Sequence, residues 1–267
     1  GQITPEIIED VASIGVGMTV REFKDALSQS LVVRKTFDPG VLMELKKQLV
    51  KKSEILELYY PKETDSFDHL FGMDTLKKFT SDTFGPKAKG VIVVGVPGCG
   101  KTQFGKGLAQ KMGVPLVVID LGSVYDSLVG NSEKRMKSAL KKVDRFGRCV
   151  LLIDEVEKAL GGVGGSRTSD VSSNTMSIFL KWLSERAESG TYIVATCNDV
   201  QVVLDNAPEY FRAGRWDAVF FVDTPTEAEK TGIWDIWLKH HGLATTHTEV
   251  ELPDSTAWTG AEIETCC

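Results

Sequence analysis

The sequence has no apolar run long enough to cross a bilayer. Stretches such as residues 91–94 and 149–153 stop far short of the roughly 20 residues that a membrane helix needs. No membrane span is expected. The opening residues GQITPEIIEDV carry no basic stretch followed by an apolar one, so no secretory leader is expected there. Cysteine is scarce and unpatterned: Cys99, Cys149, Cys197, Cys266 and Cys267 show no metal-ligand spacing, which points to reduced thiols in a cytoplasmic or equivalent reducing compartment. An excess of basic charge is also lacking. The 31 Lys and Arg against 37 Asp and Glu leave a net charge of −6 that repels a phosphate backbone and disfavours nucleic acid as a partner. Lys134, Arg135, Lys137, Lys141 and Lys142 crowd one helical stretch, which reads as a solvated face or a local basic stripe. There is no internal repeat, and the one glycine- and serine-rich stretch, residues 161–174, is expected as a mobile loop. What remains, 267 residues at 42% hydrophobic, is enough for one large or two ordinary globular domains.

Residues 1–64 carry helical signals. Thr19 followed by Glu22 forms a capping box ahead of VREFKDALSQSL, and Asp38-Pro39 places a cap and then proline ahead of VLMELKKQLVKKSEIL. This prefix is expected to hold no chemistry. From residue 65 the texture changes to short β-rich runs at 91–95, 115–120, 149–154, 191–196 and 218–223, with helical stretches between them at 102–111, 132–145 and 173–189. Such continuous apolar strands suit a parallel sheet buried on both faces, so the spacing predicts a three-layer α/β/α core over residues 65–225 with five parallel strands. After Pro225, Thr226 can cap and Gly242 can end a helix, and GAEIETCC reads as the opening of another. Residues 226–267 are therefore expected to form part of a small helical domain.

Four elements carry chemistry. Residues 95–102, GVPGCGKT, match the G-x-x-x-x-G-K-[ST] phosphate loop and lie between a strand and a helix, as that motif requires. Its backbone N–H groups curl around phosphate, the helix start adds a positive dipole end, Lys101 reaches the outer phosphates and Thr102 can ligate Mg²⁺. Asp154 and Glu155 end the apolar run CVLLI, either as a solvated strand end or as the pair that completes a Mg²⁺ shell and deprotonates a water. Asn198 ends TYIVATC; it reads as a turn pair with Asp199, or as an amide able to donate to the γ-phosphate and accept from the attacking water. Arg212 and Arg215 flank Gly214 just before the last strand, as surface ion-pairing groups or as contacts to a γ-phosphate.

In this order the four elements resemble the AAA family of ring-forming ATPases over roughly residues 65–265. The segments SFDHLFGMDTLK, LVGNSEKRMKSAL, FLKWLSERAESGTYIVATCND and YFRAGRWDAVFFVDTP are closest in texture to the plastid and cyanobacterial open-reading-frame AAA proteins. The resemblance implies a P-loop NTPase fold with the sensor strand between the other two motif strands, ATP or ADP as ligand and Mg²⁺ on Thr102 and Asp154. It implies Glu155 as base, Asn198 as first sensor, and Arg212 and Arg215 as fingers offered to the neighbouring subunit's ATP. Nucleotide contacts are implied for Pro97, Gly98, Cys99, Gly100, Lys101, Thr102 and Gln103, with adenine enclosed by Phe71, Gly72, Ile233, Gly260 and Ala261. The implied activity is ATP hydrolysis by a homo-oligomeric, hexameric ring that remodels a protein partner; a nucleotide-dependent switch or scaffold is the alternative. The compartment is then cytoplasm or an equivalent such as plastid stroma. The lid segment GAEIE contains no arginine, which resembles family members without a second sensor arginine. Two departures stand out: Leu128-Val129-Gly130 puts leucine where threading members carry an aromatic pore residue, with Tyr125 three residues earlier, and the lid segment is short.

Overall fold

The computed structural model describes residues 5–51, 55–121, 131–158, 166–186, 190–244 and 246–267, and the pore-loop expectations at Tyr125 and Leu128 to Gly130 lie outside them. Three helices open the chain: α1 (Pro5–Gly15), α2 (Val20–Arg34) and α3 (Pro39–Lys51). The capping box forms as the sequence requires, with the Glu22 N–H donating to Thr19 Oγ1 at 3.3 Å and the Thr19 N–H to Glu22 Oε2 at 2.7 Å. Asp38 caps α3 by accepting from the Gly40 N–H at 2.8 Å. Ile14, Ala26 and Leu42 bury against one another where these helices meet.

The core sheet has six strands, not five. They are β1 (Leu56–Tyr59), β2 (Gly90–Gly95), β3 (Leu116–Ile119), β4 (Cys149–Ile153), β5 (Thr191–Cys197) and β6 (Ala218–Val222), in the order β1-β3-β4-β5-β2-β6. The five expected strands are mutually parallel. The sixth corrects the reading of residues 1–64 as wholly helical: Leu56 to Tyr59 pair antiparallel with β3, Leu56 opposite Ile119. Leu56 and Leu58 are buried and the residues between and after them are not, so a period-2 pattern hides at the end of a helical one.

Helices α4 (Asp74–Thr83) and α5 (Lys101–Met112) cover one sheet face; α6 (Asn131–Phe146) and α7 (Ser166–Glu185) cover the other. Val91, Val93, Val150, Leu152 and Val194 pack against Leu76, Phe104 and Leu108, whereas Ile92, Leu151, Ile153 and Ala195 pack against Met136, Leu140, Phe179 and Leu183. Successive residues of each strand thus feed opposite layers, and every residue of β2, β4 and β5 is buried. Helix α7 begins at Ser166, so the stretch expected as a loop at 161–174 is helical from that point; residues 159–165 lie outside the described ones. The apolar i, i+3, i+4, i+7 series Met176, Phe179, Leu180 and Leu183 anchors that helix, and propagation from an anchored segment tolerates the weak helix formers before it. β6 is an edge strand, with Val219 and Phe221 exposed on one face.

A short helix α8 (Val200–Asn206) follows β5, and α9 (Glu227–His240) and α10 (Gly260–Cys266) close the chain. Thr226 and Glu229 cap α9 reciprocally, and Thr259 and Glu262 do the same for α10. Trp234, Leu238 and Ile263 join the two helices in a small cluster.

Candidate active site

The order β4-β5-β2 brings three strand ends side by side, with Ile153 opposite Ala195 and Val94 opposite Cys197. The phosphate loop, the Asp154-Glu155 pair and Asn198 therefore share the carboxyl edge of the sheet, where parallel α/β folds bind ligands. The strand carrying Asn198 lies between the other two, as the family resemblance implies.

The loop between β2 and α5 turns on Gly98 and Gly100, at φ of 81° and 80°. These left-handed values are accessible to glycine without Cβ strain. At Gly98 a Cβ would also stand 2.7 Å from Thr259 Oγ1, and the Ala261 N–H donates to the Gly98 carbonyl at 3.2 Å. The C-terminal helical segment is thus seated directly on the phosphate loop.

Lys101 is 6% exposed, and its Nζ donates to the carbonyls of Gly95 at 2.7 Å and Val96 at 2.6 Å. Burial lowers its pKa from the usual lysine range, and it makes no ion pair among the described residues. A desolvated cation at the start of a helix is matched to a polyanion. Thr102 Oγ1 donates to both carboxylate oxygens of Asp154, at 2.9 and 3.0 Å. These hard oxygens, adjacent to the phosphate cradle, fit Mg²⁺, which takes one or two protein ligands and completes its shell with waters and phosphate oxygens.

Glu155 has φ of 52°, unfavourable for a residue with a side chain and of the kind concentrated at functional sites. Its N–H donates to Thr196 Oγ1 at 2.8 Å, and Thr196 Oγ1 donates to Asp154 Oδ1 at 2.5 Å. One hydroxyl therefore bridges both acidic residues. Asn198 Nδ2 donates to Glu155 Oε1 at 3.1 Å, and Lys158 Nζ pairs with Glu155 Oε2. That pairing raises the Lys158 pKa. Thr196 and Lys158 were missed in the sequence. The register was the available signal for Thr196: with Ile153 opposite Ala195, the residues that follow, Asp154 and Thr196, are neighbours at the sheet edge.

One cleft of about 1850 Å³ collects these groups apart from Lys158. Phe71, Gly72, Pro97, Gly98, Cys99, Gly100, Lys101, Thr102, Gln103, Asp154, Glu155, Asn198, Ile233, Gly260 and Ala261 all line it, as does Thr196. Phe71 lies against Gly232 of α9 so closely that a Cβ there would stand 2.2 Å from the ring, and Gly72 faces Glu229. The segment before α4 and helix α9 thus form one wall of the cleft, and Leu70 in that segment also lies against Gly100 of the phosphate loop. Burial raises the Cys99 thiol's pKa. Gln103, though at the cleft, directs its amide to Asp65 Oδ1 at 3.3 Å, while Tyr59 donates to Asp65 Oδ2 at 2.7 Å, so its side chain ties the phosphate-loop helix to the β1 region.

Arg212 and Arg215 do not line the cleft. Arg212 is exposed. Arg215 donates from Nε to Ser184 Oγ at 3.2 Å and from its guanidinium to the Glu209 carbonyl. Within one chain they stand apart from the acidic pair.

The family model "ATPase family associated with various cellular activities (AAA)" matches residues 91–224, which run from β2 to just past β6. The chain is 28% identical over 274 residues to "Uncharacterized AAA domain-containing protein ycf46" of Guillardia theta, an alignment covering 96% of this chain and 53% of that protein. The protein of the same name from Gracilaria tenuistipitata var. liui is 32% identical over 204 residues, 72% of this chain and 40% of its own length. "Cell division cycle protein 48 homolog" of Archaeoglobus fulgidus is 26% identical over 180 residues, 67% of this chain and 24% of that protein. The chain spans about half the length of the ycf46 relatives from Guillardia theta, Trieres chinensis and Pyropia yezoensis. With the phosphate loop, the acidic strand end and the Asn198 strand all inside the matched region, the chain belongs to the AAA family of ATPases.

Proposed function

We propose that this chain is a Mg²⁺-dependent ATP hydrolase that works as a homo-oligomeric ring, hexameric by resemblance, and couples hydrolysis to remodelling of a protein partner. The observation that carries the reading is the convergence of Lys101, Thr102, Asp154, Glu155 and Asn198 on one cleft, with the Thr196 hydroxyl linking the Asp154 carboxylate to the Glu155 backbone N–H. Lys101 and the glycine-loop N–H groups bind the phosphates, while Thr102 and Asp154 hold the metal, whose charge would offset that of the phosphates. Glu155 accepts the proton of the attacking water, and Asn198 orients that water and the Glu155 carboxylate together. For Glu155 to act as base, its ion pair with Lys158 opens. Phe71, Gly72, Ile233, Gly260 and Ala261 enclose the adenine ring.

The position of Arg212 and Arg215 outside their own chain's cleft supports their use by a neighbouring copy, where a positive charge on the transferring phosphate is worth roughly 10³ to 10⁵ in rate in well-studied phosphoryl-transfer enzymes. We assign residues 1–64 to an N-terminal segment whose strand β1 joins the sheet of the ATPase domain, residues 65–225 to that domain and 226–267 to part of a lid. The free, mostly buried thiols fit a reducing compartment, cytoplasm or plastid stroma. No described helix is long and apolar enough to cross a membrane.

Glu155→Gln separates binding from chemistry. The variant is expected to bind ATP as the parent does and to lose phosphate release. Parental turnover in it would remove Glu155 from the role of base.

A further inference from the structure

Next to the cleft, but not lining it, lies a second acidic side chain that the roles above do not use. Glu157 follows Glu155 by two residues and is 8% exposed. Its Oε1 accepts the backbone N–H of Asn198 at 3.1 Å, while its Oε2 is buried with no hydrogen-bond partner among the described residues. Burying a carboxylate with one of its oxygens unpartnered is costly, and such a group is retained where it does something. The same turn is fixed from the other side, since the Val156 N–H donates to the Thr196 carbonyl at 3.0 Å. These two bonds add to those of Thr196 and of the Asn198 amide in joining the ends of β4 and β5.

On the far side of Glu157 stands Tyr210, fully buried, with its hydroxyl also unpartnered among the described residues. Glu157 and Cys197 lie within electrostatic reach of that hydroxyl. Burial first, and Glu157 second, push the Cys197 thiol up to about 12. Tyr210 belongs to the turn Pro208–Phe211 that leads into Arg212 and Arg215, and its carbonyl accepts the Trp216 indole N–H at 2.7 Å.

We propose that Glu157 is a positioning residue for hydrolysis: it holds the Asn198 backbone so that the Asn198 amide meets Glu155. The inference rests on the hydrolytic reading above. The backbone link sets where β5 ends and therefore the direction from which Nδ2 reaches Glu155 Oε1 at 3.1 Å. Because Glu157 does not line the cleft, its effect falls on the chemical step and not on nucleotide affinity.

The test compares Glu157→Leu with Glu157→Gln in the full chain, with Mg²⁺ and ATP. Loss of a hydrogen bond to a charged acceptor, felt only in the transition state, is expected to lower kcat roughly ten- to a hundredfold in the leucine variant at unchanged KM. Glutamine keeps an acceptor oxygen and is expected to retain most of the parental kcat. The Asn198 backbone amide proton, followed by NMR, is expected to move upfield with leucine and to hold its place with glutamine. Parental kcat in the leucine variant, a fall in kcat matched by falls in nucleotide affinity and Tm, or a glutamine variant as slow as leucine would each overturn the proposal. Should the leucine variant not fold, Glu157→Ala takes its place, with the same expected fall in kcat at unchanged KM, and parental kcat there overturns the proposal. A parent chain without ATP turnover would refute the hydrolytic reading separately, and the Asn198 amide shift would still decide whether Glu157 holds that backbone.

Discussion

Lys46 on α3 is 3% exposed, with its ammonium 5.0 Å from the centre of the Phe146 ring and Cys149 as the other group acting on it. Desolvation lowers its pKa from 10.5 to about 8. At roughly 1.4 kcal/mol per pK unit, holding the charged form in that site costs about 3 kcal/mol at neutral pH, an upper figure for what its removal restores. Lys46→Met keeps the apolar stem and removes the charge, and is expected to raise Tm by roughly 5–10 °C at pH 7. The pH dependence has a definite sign. A lysine whose folded pKa lies below its unfolded one leaves the unfolded chain with more bound protons between pH 8 and 10.5, so parental stability from this group rises across that window and stays at its low level below it. Cys149, raised to about 11, and Cys197, raised to about 12, act in the opposite direction above pH 9, because the unfolded chain ionises them first. Those thiols are present in both proteins, so the parent-minus-variant difference isolates Lys46 and is expected to shrink between pH 8 and 10.5. Urea unfolding at pH 7, 8, 9 and 10 measures it. A variant less stable than the parent at pH 7, or a difference that does not move with pH, would refute the reasoning and with it the docking of α3 on the ATPase core.

Lys101→Ala removes the buried cation at the head of α5 and is expected to weaken binding of a fluorescent ATP analogue at least tenfold; parental affinity would contradict the phosphate assignment. Gly98→Ala places a Cβ at φ of 81° and 2.7 Å from Thr259 Oγ1, so it is expected to cost about 1–2 kcal/mol of stability and to loosen the C-terminal segment, measured by thermal unfolding and by protease sensitivity after residue 226. A Gly98→Ala protein as stable and protease-resistant as the parent would show that the lid does not depend on that seat.

Much of the fold was legible because its signals are local. Continuous apolar runs marked the five parallel strands, and Thr19, Asp38 and Thr226 each sit at the head of a helix with a side-chain cap. β1 was not legible, since Leu56 and Leu58 follow a helical pattern without a break and their strand state is decided by pairing with β3, about sixty residues away. In the candidate site, the residues within or beside motifs were found because phosphate binding demands particular residue types at fixed spacing. Thr196, Lys158 and Glu157 were not, because each acts through a neighbour brought in by register or by a turn, and a threonine at a strand end carries no signature of its own. Arg212 and Arg215 mark a different limit: their place relative to their own chain is seen, but the role proposed for them lies between copies.

The most direct test of the account is Mg²⁺-dependent phosphate release per chain as a function of chain concentration, in the parent and in Arg215→Ala. The account expects turnover per chain to rise steeply with concentration in the parent and to stay at the basal level in the variant, because a neighbour's arginine completes each site. Turnover that is independent of concentration, or unchanged by Arg215→Ala, would contradict it.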